Sequence, residues 1–331
     1  MNSFFETIFS FKYISLLTLI YIVVFQDFIY NFFIEYFNVS QIKVRYLKNF
    51  FKYSIKNNTI LIFEPSLYHY ECTPGYAKYF IELGFNIDII MHEMGISTFE
   101  IFNPLESESI RLFIYKDRAE AIKYGKILSL LSDKYYYILI ETTEPLPEKI
   151  YINKEFLNKN NSIFVFHHLD YIYKMNFSRY NLQNRIWSIG NFSTGLQVNP
   201  HYFGNLRFKD KNKITKFFIT SSRHRSYEFI VSASKKLKQE NLEFQIIVVG
   251  KFNTFSDKNI TEELKNNFIF RYNISYIDLY KTVESADFII INLDPKNKKD
   301  DEFLKTRVTG SAQLVYGFCK PALINVNIYK V

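Results

Sequence analysis

Cysteine is scarce in this chain of 331 residues, because Cys72 and Cys319 are the only two and they lie far apart. Without a CxxC pair the sequence offers neither a disulfide framework nor the usual cysteine-based zinc site. Two isolated thiols of this kind are typical of a protein from a reducing compartment.

The chain also lacks the zinc-finger spacing and the RNA-binding signatures that accompany a nucleic-acid partner. Its net charge of +8 favours anionic partners, and the missing motifs make nucleic acid the weakest candidate beside small anionic ligands and anionic lipid. Apolar residues make up 48% of the chain and charged residues 22%, which predicts a folded protein, and this length predicts two domains.

Long hydrophobic runs are missing except near the amino terminus, where residues 13–26 (YISLLTLIYIVVFQ) carry no charge. A bilayer-spanning helix needs roughly 20 apolar residues, and this run reaches that length only by including Asp27. No small-residue cleavage site follows, so we do not expect a removable signal peptide.

A run of basic residues follows this segment: Lys43, Arg45, Lys48, Lys52 and Lys56. The excess of positive charge after the hydrophobic segment indicates that the chain following it lies in the cytoplasm. The same charges would attract an anionic membrane surface. We therefore predict that residues 1–56 form a hydrophobic, membrane-associated helical segment at the cytoplasmic face of the membrane. A hydrophobic helix packed against the protein itself fits the same residues.

Residues 57–200 alternate between strand and helix patterns. We predict strands at 59–63 (TILIF), 86–92, 112–115, 136–140 and 162–166, and helices at 75–85 and 118–131, with Gly84 ending the first helix. This alternation is typical of a parallel, doubly wound sheet. We expect the domain to be Rossmann-like.

A second series of the same kind occupies residues 201–331, after a turn-rich, charged connection at 195–213. Its predicted strands are 214–220, 244–250, 268–275, 288–293 and 322–326, with helices at 227–239 and 276–285. The predicted fold class is therefore α/β, with two Rossmann-like βαβ domains facing a cleft.

Titratable residues follow the predicted strands of the first domain. His69 and Glu71 lie in the loop after the first strand, and His167 and His168 follow the strand 162–166. Histidine can take a proton from a hydroxyl near neutral pH, so His69, Glu71 and His168 are the candidate catalytic residues. Hydrogen bonding within a loop fits each histidine as well, and the absence of helical ligand spacing such as HExxH argues against a metal.

The second domain carries features that suit a phosphate. A helix is predicted to begin at Thr309, Gly310 and Ser311, and backbone N–H groups at a helix start favour anions. Taken alone, these three residues are better explained by an N-cap and a tight turn, and the other edge residues of the domain favour the phosphate interpretation. Arg223 and Arg225 follow the strand 214–220 and could pair with phosphate oxygens, although a solvated basic turn is the alternative.

Two further edge positions follow neighbouring strands of the second domain. Gly250 ends the strand 244–250, and Tyr276 opens a helix. Because the carboxyl ends of parallel strands share one edge of a sheet, these residues should lie near the predicted phosphate site. Both are candidate ligand-binding residues.

The order of these segments resembles the glycosyltransferases of the GT-B fold over residues 60–331. The resemblance rests on HHLD after SIFVF, VNPHYF, FFITSSRHRS, FQIIVVGKF, ISYIDLYKTVESADFIIINLDP and VTGSAQLVYGFCKPALI. It implies an acceptor domain first and a nucleotide-sugar (donor) domain second. It also implies that Arg223 and Arg225 neutralise the diphosphate, that the helix start caps it, and that Gln313 lies near the ribose.

Two departures from that family concern the acids and the carboxyl terminus. Gln313 occupies the place of a ribose-binding acid, and only seven residues follow Ile324, which implies a shortened donor domain. No Asp-x-Asp sequence occurs, whereas the other glycosyltransferase architecture uses that motif to hold a metal ion. We expect charge compensation by arginines and a helix dipole, with no metal and no cofactor beyond the sugar donor.

The sequence thus predicts a metal-independent glycosyltransferase that transfers a sugar from a nucleoside-diphosphate sugar to a lipid-linked or polysaccharide acceptor. Two alternatives stay open at this point. One is a nucleotide-sugar epimerase of the same fold, and the other is a non-catalytic, membrane-tethered protein that binds nucleotide-sugars.

Overall fold

The structure is a computed structural model, and it describes residues 42–47, 50, 54–67, 69–143, 159–168, 183–190, 195–200, 214–221, 225–250, 255, 260–294, 296–298, 300, 303 and 308–324. These residues build two separate parallel β-sheets with helices packed on them. The predicted membrane-associated helix falls within residues 1–41, which lie outside the described residues. Within the described ranges, no helix is both long and apolar enough to cross a bilayer.

The first sheet has eight strands. They are β1 (Lys43–Tyr46), β2 (Thr59–Phe63), β3 (Asn86–His92), β4 (Ile110–Tyr115), β5 (Tyr137–Ile140), β6 (Ser162–Phe166), β7 (Ile186–Ser188) and β8 (Leu196–Gln197). Their spatial order is β1-β4-β3-β2-β5-β6-β7-β8, and every neighbouring pair is parallel. The predicted parallel sheet is confirmed.

Among the described residues, the α-helices of this domain are α1 (Thr73–Glu82), α2 (Pro104–Ser107) and α3 (Arg118–Leu131), and a long 3₁₀ segment lies at Glu93–Ile101. The Asp117 side chain caps α3 by accepting a hydrogen bond from the Glu120 N–H at 2.8 Å. Gly84, with φ +84°, follows the end of α1 as expected. The predicted boundaries of α3 are confirmed at both ends.

The second sheet has five strands, β9 (Thr215–Thr220), β10 (Phe244–Gly250), β11 (Phe268–Tyr272), β12 (Phe288–Ile291) and β13 (Ala322–Ile324). The order β11-β10-β9-β12-β13 is again parallel throughout. Its helices are α4 (Glu228–Gln239), α5 (Tyr276–Ser285) and α6 (Gly310–Phe318).

Both sheets are buried on two faces. In β2, Leu61 and Phe63 pack into one apolar cluster, whereas Ile60 and Ile62 pack into the cluster on the opposite face. Successive side chains of a strand point to opposite faces, so a strand covered on both sides must be apolar at every position. The short apolar runs of the sequence were therefore reliable strand signals.

Strand β1 was not predicted, since KVRY lay within the segment assigned to residues 1–56. The structure pairs Lys43–Tyr46 with β4 at the edge of the first sheet, so the sheet includes residues before position 57. Two of the four side chains in β1 are cationic, and an edge strand tolerates such residues because one of its sides faces solvent. The chain passes from the first sheet to the second between Gln197 and Thr215.

Candidate functional site

Each sheet has one place where the strand order reverses. In the first sheet, β3 and β4 are added on one side of β2, and β5 is then added on its other side. In the second sheet, β10 and β11 are added on one side of β9, and β12 is then added on its other side. Open α/β sheets bind ligands in the crevice outside the carboxyl ends of such strands. The residues that follow β2, β5, β9 and β12 are therefore the ones to inspect.

Two fully buried carboxyl groups, Glu64 and Glu141, lie at the reversal point of the first sheet, one directly after β2 and one directly after β5. Glu64 accepts hydrogen bonds from the Ser66 N–H at 2.5 Å and from the Thr142 hydroxyl at 2.6 Å. Glu141 Oε2 accepts one from the hydroxyl of Thr73, the first residue of α1, at 2.5 Å. Glu141 Oε1 is buried without a hydrogen-bond partner among the described residues.

Burial makes both carboxyl groups hard to ionise. It raises the pKa of Glu64 to about 8, against the opposing effect of the Thr142 hydrogen bond and the positive charge that His69 can carry. Burial and the neighbouring Glu64 carboxyl raise the pKa of Glu141 well above its usual range. Desolvation and the proximity of a second acid both disfavour a carboxylate. At neutral pH the pair consequently retains protons that free carboxylic acids would have lost.

The predicted histidines lie beside this acid pair. The rings of His69 and His167 are 4.6 Å apart between centroids. His167 Nε2 lies 3.2 Å from the backbone oxygen of Glu141, and because a carbonyl oxygen can only accept, Nε2 carries a proton. His168, another of the predicted catalytic residues, lies two residues after β6 and is buried.

His69 and Glu71 form a partly exposed pair. His69 Nδ1 is 3.7 Å from Glu71 Oε1, and the two side chains are 40% and 29% exposed. They are thus accessible from solvent, in contrast to Glu64 and Glu141. A carboxylate this close to an imidazole can hold the ring in one orientation.

Hydroxyl and amide groups occupy the reversal point of the second sheet. The hydroxyls of Thr220, at the end of β9, and Ser311, in the first turn of α6, are 2.7 Å apart. Asn292, which follows β12, is buried and donates from Nδ2 to the Ser226 carbonyl oxygen at 3.0 Å.

Helix α6 begins where the sequence predicted. The side chain of Thr309 caps it by accepting a hydrogen bond from the Ala312 N–H at 3.1 Å. Gly310 is exposed, and a Cβ added there would meet no atom within 4 Å. The helix start therefore opens into free space, while Ser311 anchors it to β9.

Two other predicted ligand-binding residues have structural partners. Arg225 is largely buried, with Nε 3.8 Å from Asp300 Oδ1 and its guanidinium carbon 5.8 Å from the centroid of the Phe303 ring. At Gly250 an added Cβ would collide with the Ser221 side chain, so glycine permits the ends of β9 and β10 to approach. Their roles in ligand binding stay predictions, and Arg223 lies outside the described residues.

The connection between the sheets joins the starts of α1 and α6. The Pro200 carbonyl group lies against Gly75 in the first turn of α1, so closely that a Cβ on that glycine would collide with it. The neighbouring Asn199 donates from Nδ2 to the backbone oxygen of Gln313 in the first turn of α6, at 3.4 Å. The Gln313 side chain is buried.

The two domains also meet at the start of α5, which begins at Tyr276 as predicted. Burial raises the pKa of the Tyr276 hydroxyl, and the nearby Glu71 carboxylate adds to this increase. In the same region Ile101, at the end of the 3₁₀ segment, packs against an apolar cluster of the second domain. Glu71 therefore lies close enough to the second domain to affect the Tyr276 hydroxyl.

Sequence analysis missed Glu64 and Glu141. Their signal was present, because each is an acid placed directly after a strongly apolar run, TILIF and YILI respectively. An acid at the carboxyl edge of a buried strand is a candidate for an altered pKa. Within the described residues, no group of three or more His, Cys, Asp and Glu side chains is arranged to hold a metal ion.

No family model matches the chain, and no curated protein matches its sequence. Solved structures similar to it include glycosyltransferases. One from Rickettsia africae is 15% identical with a TM-score of 0.46, covering 82% of this chain and 79% of its own. Acinetobacter baumannii MurG is 11% identical with a TM-score of 0.42, and the match covers 83% of this chain and 87% of MurG. The Escherichia coli heptosyltransferase WaaC with ADP is 11% identical with a TM-score of 0.40, and the match covers 80% of this chain and 86% of WaaC.

The two parallel-sheet α/β domains of the chain itself fit the two-domain GT-B fold that the sequence predicted.

Proposed function

We propose that the protein is a glycosyltransferase that moves a sugar from a nucleoside-diphosphate sugar to an acceptor hydroxyl in the cleft between the two sheets. One observation carries the proposal. The carboxyl edge of the first sheet holds proton-binding groups, the edge of the second holds an open helix start, and Asn199 and Pro200 join the two. Transfer of a glycosyl group needs both kinds of chemistry close together.

The donor would bind at the second sheet, with its diphosphate at the start of α6. The first N–H groups of a helix have no intrahelical partner and carry partial positive charge, which stabilises an anion. The open space at Gly310 supports a close approach of phosphate oxygens to the backbone. Arg223 and Arg225 would add positive charge, and Gln313 would lie near the ribose.

The acceptor hydroxyl would bind beside His69. In the reaction the bond between the anomeric carbon and the diphosphate oxygen breaks, and a bond from that carbon to the acceptor oxygen forms. The proton of the acceptor hydroxyl passes to His69, and the nucleoside diphosphate leaves with the bonding electron pair. The accessible position of His69 and its carboxylate neighbour Glu71 support this assignment over His168, which is buried.

Glu64 and Glu141 would act behind the histidines rather than on the substrate, since both are fully buried. Glu141 is joined to His167 through its backbone oxygen, and the His167 ring lies near that of His69. Because this pair of acids is largely uncharged at neutral pH, it would attract the proton of the acceptor hydroxyl only weakly.

The proposal also covers the absence of a metal ion from the reaction, the kind of acceptor and the location of the protein. The absence of an Asp-x-Asp motif supports transfer without a metal ion. The basic run after the hydrophobic amino-terminal segment supports an acceptor held at the cytoplasmic face of a membrane, such as a lipid-linked or polysaccharide precursor.

A transfer assay with the purified full chain tests the proposal. A panel of nucleotide-sugars is incubated with lipid-linked and polysaccharide acceptors in EDTA, and release of nucleoside diphosphate is measured together with the glycosylated product. Release that requires an acceptor supports transfer. Conversion of a nucleotide-sugar without acceptor would establish an epimerase instead, and binding without conversion would establish a non-catalytic binding protein.

A further inference from the structure

A cavity of about 180 Å³ lies on the first domain, away from the cleft. It is lined by Lys43, Arg45, Ser54, Lys56, Asn86, Glu108, Ser109 and Arg111. Strands β1, β3 and β4 begin at or next to lining residues, so the cavity is at the amino-terminal edge of the sheet, opposite to the edge that holds Glu64 and Glu141. Nothing in the proposed glycosyl transfer uses it.

The sheet register brings the cations of this cavity together. Lys43 of β1 is directly opposite Arg111 of β4, and Arg111 is directly opposite Asp88 of β3. Lys43 and Arg45 are two positions apart, so they project to the same face of β1. Lys56 joins them from the loop before β2.

The floor of the cavity is fixed by a buried ion pair. Arg111 donates from Nε and Nη2 to the two carboxylate oxygens of Asp88, both at 2.6 Å, and Tyr135 donates its hydroxyl to the same carboxylate at 3.0 Å. Arg111 also donates from Nη1 to the Ser54 backbone oxygen at 3.3 Å. This geometry holds the Arg111 guanidinium in place without help from a ligand.

Positive charge exceeds negative charge around the cavity. Four cations line it, whereas Glu108 is the carboxylate of the lining and Asp88 is the partner of Arg111. Like charges gathered around a concave surface repel one another, and an anion that enters relieves this repulsion. A water molecule takes up about 30 Å³ of liquid, so the cavity has room for a phosphate group. The hydroxyls and amide of Ser54, Ser109 and Asn86 supply neutral hydrogen-bond donors.

We propose that this cavity is a binding site for a phosphate group, held by Lys43, Arg45 and Lys56 over the Arg111–Asp88 pair. The phosphate belongs either to a lipid headgroup or to a soluble phosphorylated molecule. The site is independent of the donor site, from which the whole first sheet separates it.

Inorganic phosphate is the first probe, with the melting temperature of the full chain and calorimetric affinity as readouts. A ligand that binds only the folded state raises the melting temperature with its concentration. Phosphate should stabilise the wild type more than sodium chloride does at equal ionic strength. The double variant Lys43→Gln/Lys56→Gln should bind phosphate at least about tenfold more weakly, because it lacks two of the cations.

The matched control is Lys123→Gln/Lys281→Gln, which removes the same charge from exposed positions on α3 and α5. This control should keep the wild-type phosphate affinity within about twofold. In phosphate-free buffer the double variant at the cavity should be at least as stable as the wild type, since the repulsion is reduced. Its affinity for nucleoside diphosphates should not change.

Vesicles distinguish the two sources of phosphate. Retention on phosphatidylglycerol vesicles but not on phosphatidylcholine vesicles, lost in the double variant at the cavity and kept in the control, identifies a lipid headgroup. Binding of free phosphate without any such difference on vesicles identifies a soluble phosphorylated ligand. The proposal is overturned if phosphate stabilises no more than chloride, or if the two double variants lose phosphate affinity equally.

Discussion

The carboxyl edges of the two sheets have the same topology and opposite chemistry. Both follow the doubly wound order, so each offers a crevice at one reversal point. At the first lie buried acids and histidines, whereas at the second lie hydroxyls and the open start of α6. The fold thus decides where a ligand binds, and the few residues after each strand decide what that ligand can be.

The largest effect is expected from the proton-binding edge. His69→Ala should lower kcat by about 10²- to 10⁴-fold, because it removes the proposed general base. The affinity for nucleoside diphosphates, measured by calorimetry, should stay within about twofold, since the donor contacts lie on the other sheet. Glu82→Gln, an exposed acid at the far end of α1, is the control and should leave both quantities unchanged. If His69→Ala lowered kcat and nucleotide affinity by equal factors, the assignment of the general base to one sheet and of donor binding to the other would be wrong.

The second prediction concerns the pH dependence of stability, which should originate at the same edge. The pKa of Glu64 is about 8 in the folded protein against an ordinary value of 4.5. The folded state therefore holds more protons than the unfolded state between these pH values, and the free energy of unfolding falls as pH rises through this window. The loss should be on the order of 5 kcal/mol, because one pKa unit corresponds to about 1.4 kcal/mol.

Glu64→Gln cannot ionise, so its free energy of unfolding should decline less between pH 4.5 and pH 8 than that of the wild type. Chemical denaturation at several pH values measures the difference. The exposed acid Glu228 provides the control, because Glu228→Gln should retain the wild-type slope. A wild-type slope in Glu64→Gln would mean that this carboxyl ionises normally in the folded protein.

Two glycines of the second domain, Gly250 and Gly310, have different proposed roles, one structural and one in ligand binding. Substituting them should have smaller effects than the changes above. Gly250→Ala should destabilise the protein by about 1–3 kcal/mol, because its Cβ collides with Ser221. Gly310→Ala has open space around the new Cβ, so its stability should change by less than about 1 kcal/mol. The methyl group would nevertheless obstruct the diphosphate and weaken nucleotide affinity by about tenfold, or about 1.4 kcal/mol. Full nucleotide affinity in Gly310→Ala would remove the helix start from the donor site.

Most of the sheet architecture could be predicted from the sequence, because strands buried on both faces are apolar without interruption. TILIF, NIDIIMH, SIFVF and FQIIVVG have the predicted bounds in the structure. Strand β1 could not be predicted in this way, since two of its four residues are basic and its pairing with β4 is a tertiary contact. The same holds for the three- and two-residue strands β7 and β8.

The site was only partly predictable, for a related reason. Sequence spacing placed His69, Glu71 and the start of α6 at the carboxyl edges, where the structure has them. The importance of Glu64 and Glu141 depends on burial and on their proximity across β2 and β5, and neither property is visible before the strand order is known. Likewise, the contact between Gly75 and Pro200 depends on how the connection folds back on α1.

Hydrogen–deuterium exchange of the full chain, with and without a nucleoside diphosphate in EDTA, tests the central claim most directly. The account predicts slower exchange at the first amides of α6, around Gly310 and Ser311, when the nucleotide is bound. The amides around Glu64 and Glu141 should be unaffected, since they belong to the edge that binds the acceptor. Nucleotide-dependent protection confined to the first sheet, or no protection by any nucleoside diphosphate, would contradict the account.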